Sequence, residues 1–360
     1  MDASIFSEGR VLTGETPGED ERVPSSRLKV FDLHCDTLER LALPGDPLAS
    51  GGLAVLSTLS SGKRMESLAE NDAHLSLSRV EPFSWCQCFA VFIPDQFRGE
   101  AAWGLFERVR RFWEEELRRS ADSLVPVRSL ADIGVAHATS RTAGLLTVEA
   151  ASFLEDDGMA LSRLDELARA GVRMVTLTWN GQNALGSGHD TDEGLTRFGR
   201  VVVGELERRN IVVDASHLND EGFKDLCDCA ERPFAASHSN ARSVCPHPRN
   251  LADWQLREIA AREGVVGLNY CSHFISDAHP DPSPEDMLRH IDRILEVAGE
   301  DVLALGSDYD GCEVPSWLDP CDRVSGLHAL IAHEFGAVIA DKVFFGNALS
   351  FFARHEERSR

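Results

Sequence analysis

The chain has 360 residues, 43% of them hydrophobic and 7% aromatic, with a formal net charge of -23. An acidic surface of that size repels nucleic acid and anionic membrane, so neither is expected as a partner. The length exceeds the common single-domain size, but one α/β barrel with short additions accommodates it, and the apolar fraction suffices for one large core.

Residues 1–27 carry Gly, Pro, Ser and acidic residues without an apolar period and read as a poorly structured N-terminal arm. They lack the basic start and apolar stretch of a signal peptide, and no run of 18 apolar residues follows, so the expected location is the cytoplasm. From Leu28 onward, short apolar or β-branched runs recur: Val30 to Leu33, Cys88 to Ile93, Gly144 to Val148 and Val172 to Thr178. The series continues with Ile211 to Ala215, Phe234 to Ser237, Val265 to Leu268 and Val302 to Gly306.

Amphipathic helical segments lie between these runs, at Ala101 to Arg119, Leu161 to Ala170, Leu195 to Arg209, Glu221 to Cys229, Trp254 to Arg262 and Pro284 to Val297. Eight strands alternating with helices predict a parallel sheet closed into a (β/α)8 barrel over residues 28–354, with a short tail at 355–360. Gly45 to Arg64 reads as a loop over the barrel mouth. Two C-terminal helices are expected around Gly326 to Gly336 and Asp341 to Arg354, with Phe344, Phe345, Leu349, Phe351 and Phe352 as core packing. Nine scattered cysteines, paired only as CxC at Cys86/Cys88 and Cys227/Cys229, argue against a disulfide framework or a zinc finger and for reduced, mostly buried thiols.

Metal-capable residues fall repeatedly where these strands end, the position at which barrel enzymes carry their chemistry. His34 and Asp36 close the first strand, Glu149 the third, His217 the fifth, His238 the sixth and Asp308 the eighth. Taken singly, a histidine at a strand end is more often a satisfied polar group, and an aspartate there is often a helix cap. Six in register point instead to one site. Imidazoles and carboxylates without thiolate suit zinc, and the set exceeds what one catalytic ion with an open position needs, so two ions sharing a carboxylate are expected.

These residues lie in motifs that resemble the membrane dipeptidase (renal dipeptidase) family of zinc peptidases, M19, co-linearly from about Val30 to Phe352. The motifs are Phe31-Asp32-Leu33-His34-Cys35-Asp36-Thr37, Leu146-Thr147-Val148-Glu149, Asp214-Ala215-Ser216-His217, the run from Ser237-His238 through Arg249-Asn250-Leu251, and Gly306-Ser307-Asp308-Tyr309-Asp310-Gly311. The resemblance implies two Zn2+ per chain, one held by His34 and Asp36, the other by His217 and His238, with Glu149 bridging. It gives Asp308 the acid/base role and Arg249 the substrate's C-terminal carboxylate, which a guanidinium fork suits.

The implied reaction is hydrolysis of dipeptides, including those with a C-terminal D-residue, by a metal-bridged hydroxide, in a homodimer. In one place the chain departs from the family. Where many members carry a histidine that steadies the oxyanion, it has Trp179 followed by Asn180. Asn180, the Trp179 indole N–H and His189 are the candidate replacements, and Tyr270 is a further candidate substrate contact. Two other readings stay open: a binuclear barrel hydrolase of another small amide or lactone, and an inactive metal-binding relative serving as a scaffold.

Overall fold

The computed structural model describes residues 27–43 and 65–357. Apart from Arg27, the expected N-terminal arm lies outside the described residues, as does the expected mouth loop at 45–64. The expected tail is described only as far as Glu357, the last residue of the final helix.

Among the described residues there are nine strands: β1 (Lys29–Asp32), β2 (Ser84–Phe92), β3 (Leu124–Pro126), β4 (Thr142–Glu149), β5 (Val172–Thr176), β6 (Val212–Asp214), β7 (Ala235–Ala236), β8 (Val265–Leu268) and β9 (Leu303–Leu305). All pair in parallel, in the order β2-β1-β9-β8-β7-β6-β5-β4-β3, and a second pairing of β2 with β4 closes the ring. The eight expected strands therefore form the barrel. The unexpected ninth, β3, pairs only with the first residues of β4, Thr142 to Gly144. Three residues ending in proline carry no readable period.

Neighbouring residues on one strand enter different apolar clusters, as side-chain alternation requires. Leu146, Val213, Ala236 and Val266 face the surrounding helices. Their neighbours Leu145, Val212, Ala235 and Val265 join Phe31, Cys86, Met174 and Ala304 in a cluster fed by all eight barrel strands, which is the barrel interior. The last helix, Asn347–Glu357, adds Phe351 and Phe352 to this cluster. The Phe352 ring stacks on Phe31 with centroids 5.5 Å apart. Phe344 is buried, while Phe345 and Leu349 are partly buried at the cluster's edge. Fully burying such a side chain stabilises by roughly 1.5–3 kcal/mol, so these aromatics hold the C-terminus in the fold.

Two expected strands end early for a shared reason. The Ser237 amide donates to the Asp214 carboxylate at 2.8 Å, and the Ser307 amide donates to Asp32 at 2.8 Å. A side chain takes the donor that a neighbouring strand would otherwise use, and the chain turns out of the sheet at the level of the site. All nine cysteines are free thiols, six of them buried. Among the described residues no helix is long and apolar enough to cross a membrane.

Candidate metal centre

The metal-capable residues lie at or just beyond the C-terminal ends of the strands. Glu149 is the last residue of β4, whereas the others sit two to four residues past their strands. Asp36 precedes the helix Thr37–Ala42, and its amide is anchored to the Tyr309 carbonyl at 2.9 Å. His217 and Asp308 adopt left-handed backbone, φ 71° and 62°, a conformation that side-chain-bearing residues hold only when the surroundings enforce it. Here the turn aims both side chains at the barrel mouth.

Five candidate ligands and Asp308 converge. His34 Nε2 lies 3.4 Å from Asp36 Oδ2, 3.3 Å from Glu149 Oε2 and 3.9 Å from Asp308 Oδ1. Glu149 Oε1 is 2.8 Å from His217 Nε2 and 3.8 Å from His238 Nε2. The donor atoms form two groups able to hold a metal ion, His34/Glu149/His238 and His34/Asp36/Asp308, and His217 adjoins the first. Glu149 thus reaches histidines on both sides of the cluster.

The electrostatics of the cluster fit a cation. Burial and the nearby Asp36 push the Glu149 carboxyl up to about 7. Burial also raises Asp308, with Asp36 adding to the effect. Burial opposes a charge on His34, but Asp36 and Glu149 outweigh it and hold that imidazole well above its usual range. Burial depresses His217 and His238 well below theirs, with repulsion from neighbouring cationic groups adding to it, so a charge on either ring is disfavoured. Asn180 Oδ1 accepts from His217 Nδ1 at 3.0 Å, which leaves the lone pair of that ring on Nε2. Three crowded carboxylates and bare imidazole nitrogens form a donor set that divalent cations satisfy.

The wall of the mouth comes from three loops. Arg249, 4% exposed, lies over the Phe274 ring at 5.4 Å and donates to the His238 carbonyl at 3.4 Å, and its Nε has no partner. His189 is carried on a loop that the Asn219 side-chain amide fastens by donating to the carbonyls of Gly188, Thr191 and Glu193. Its Nδ1 is buried and unpartnered, and burial together with Arg249 lowers its pKa. Trp179 packs edge-on against Phe92 at 5.1 Å, with its ring centre 6.3 Å from that of His217.

Asn180 is turned toward His217, so its carbonyl supports a ligand. Tyr270 is 1% exposed, packs against Tyr309 and has an unpartnered hydroxyl. Arg242 grips Asp220 through two nitrogens at 2.9 and 2.8 Å. The sequence reading missed Asn269, which donates to Asp308 Oδ2 at 3.0 Å, and Gly311, where a Cβ would land on oxygens of Asp36 and Asp308. Gly311 stands at the end of a quoted motif, and its absent side chain was the available signal.

Comparison with known proteins adds relatives to this geometry. The membrane dipeptidase family, peptidase family M19, matches residues 22–360. A Klebsiella pneumoniae protein described as uncharacterized and encoded in the pqqA 5′ region is 35% identical over 248 residues, covering 65% of this chain and 89% of the relative. A metallopeptidase from Rhodobacter sphaeroides, solved with a phosphinate mimic of the dipeptide L-Ala-D-Ala, is 27% identical with a TM-score of 0.79, covering 92% of this chain and 100% of that one. Dipeptidase AC, a metallopeptidase of family M19, is 28% identical with a TM-score of 0.79, covering 92% and 99%.

Proposed function

The chain belongs to the membrane dipeptidase family, M19, and is a metallo-dipeptidase; from that premise we propose that it works with two zinc ions at the strand-end cluster and accepts a D-residue at the substrate's C-terminus. The observation that carries this reading is the convergence of His34, Asp36, Glu149, His217 and His238 around one buried point, with Glu149 reaching both sides. The L-Ala-D-Ala mimic on the Rhodobacter relative supports the stereochemical part.

In this reading His34 and Asp36 hold one ion, His217 and His238 the other, and Glu149 both. When bound, such a pair supplies Lewis acidity for the peptide carbonyl and lowers the pKa of the attacking water. Asp308, held by Asn269, orients that water and carries its proton to the leaving amine. Arg249 pairs with the substrate's terminal carboxylate, and its position near the cluster limits the ligand to about two residues. Asn180, whose carbonyl accepts from His217 while its side-chain NH2 stays a donor, His189 and the Trp179 indole N–H are the candidate donors to a developing oxyanion. Tyr270 completes the substrate wall.

A cytoplasmic location belongs to the same reading and is supported by the nine free thiols. So does a homodimer, for which the half-exposed Leu161 and Val201, lining one cleft, offer an apolar face.

The test is metal content together with amino-acid release from a panel of L-L and L-D dipeptides, for wild type and Glu149→Gln. About two ions per chain and turnover that collapses in the variant support the reading. Metal without hydrolysis of any dipeptide overturns it.

A further inference from the structure

The His238 imidazole is held from behind by a chain of groups that the proposed reaction does not use. Ser237 Oγ lies 2.7 Å from His238 Nδ1 and 2.5 Å from Asp214 Oδ2. Asp214 is fully buried and accepts also from Thr176 Oγ1 at 2.6 Å and from the amides of Ser237 and Ser216 at 2.8 and 3.1 Å. Ser237 has one hydroxyl proton. A carboxylate can only accept, so that proton goes to Asp214, and the hydroxyl oxygen is left to accept from His238 Nδ1–H. A ring protonated on Nδ1 carries its lone pair on Nε2, which is the nitrogen facing Glu149.

The barrel repeats the clamp once, without the imidazole. Asp32 takes the Ser307 amide at 2.8 Å and its hydroxyl at 2.6 Å, but the residue after Ser307 is Asp308, and Ser307 Oγ lies 3.1 Å from the His34 carbonyl rather than against an imidazole. The same Asp–Ser pair therefore serves backbone geometry on β1 and β9. On β6 and β7 it additionally reaches a ligand ring.

We propose that Asp214 and Ser237 are positioning residues that fix the His238 tautomer and thereby set the affinity of the ion on the His217/His238 side. This rests on the binuclear reading above. Groups that orient a ligating histidine in this way are typically worth 10- to 100-fold in metal affinity.

The test is stepwise titration of metal-free protein with Co2+, followed by its visible absorption, for wild type, Ser237→Ala and Thr176→Val. Thr176→Val removes another hydrogen bond to Asp214 but leaves the serine–histidine contact. Far-UV circular dichroism and melting of the metal-free forms confirm that each variant folds.

The expected result is that Ser237→Ala takes one ion as wild type does and the other 10- to 100-fold more weakly. Thr176→Val should bind both ions normally, and the 15N spectrum of metal-free wild type should show His238 protonated on Nδ1. Two ions bound by Ser237→Ala at wild-type affinity, or equal losses in Ser237→Ala and Thr176→Val, overturn the proposal. A wild type that binds fewer than two ions overturns the binuclear reading beneath it.

Discussion

His217 Nε2 and His238 Nε2 stand 3.0 Å apart, while the Nδ1 atoms of the same rings are engaged by Asn180 and Ser237. Two rings whose Nδ1–H groups are so engaged turn their Nε2 lone pairs toward one another, an arrangement that a cation reconciles. Chelation is therefore expected to lower the melting temperature and added zinc to restore it. A ligand that binds only the folded state contributes about 4 kcal/mol at a thousandfold excess over its dissociation constant. Calorimetric scans before and after dialysis against a chelator check this, and an unchanged midpoint would count against a metal centre.

Glu149 gives a prediction of opposite sign in the two states. Burial and Asp36 raise its carboxyl from 4.5 to about 7 in the metal-free protein. A folded-state pKa raised above the unfolded value contributes stability that is present below about pH 4.5 and lost as the pH rises through about 7. Metal-free Glu149→Gln should then be more stable than metal-free wild type at pH 8, on the order of 2 kcal/mol, with the difference closing toward pH 4.5. With metal bound the order should reverse, because the glutamine cannot bridge. Urea unfolding at both pH values, with and without metal, measures all four cases.

Arg249 is almost wholly buried, and its Nε is unpaired. Leaving a buried charge partner unpaired costs about 2–5 kcal/mol, so Arg249→Ala should lower kcat/KM for free dipeptides by about 30-fold or more. A dipeptide amide, lacking the terminal carboxylate, should be cleaved poorly by wild type and no worse by the variant. Equal losses on both substrates would remove Arg249 from carboxylate binding.

Gly311→Ala tests how closely the backbone backs the ligands. The added methyl would meet Asp36 and Asp308 oxygens, which cannot both retreat within a packed wall. The expected outcome is a folded protein whose metal content by mass spectrometry is reduced and whose dipeptidase activity is lost. Full metal content with full activity would show that the carboxylates shift freely.

The barrel and the place of its candidate site were readable because parallel strands buried on both faces appear as apolar runs, and the candidate ligands fall where those runs stop. The direction in which side chains point was less readable. Asp214 and Ser237 stood in motifs already singled out, yet nothing in their spacing shows that one carboxylate collects four donors. Asn180 was weighed as an oxyanion donor, and nothing in its spacing shows that the left-handed turn at His217 also brings that ring to its side-chain carbonyl. The fastening of the His189 loop by Asn219 joins segments 26 to 31 residues apart through one amide, which no local pattern records.

The seam between β1 and β9 joins the two ends of the barrel sequence: the Asp308 amide donates to the His34 carbonyl at 3.2 Å, across 274 residues of chain. Contacts of such sequence separation form late and slowly, because the loop they close must first lose its freedom. During synthesis the Asp36 side of the cluster has no Asp308 and no Tyr309 carbonyl to anchor it until nearly the whole barrel has left the ribosome. A nascent chain therefore carries the candidate ligands without a competent centre, and hydrolysis begins only after the last strand has closed the ring.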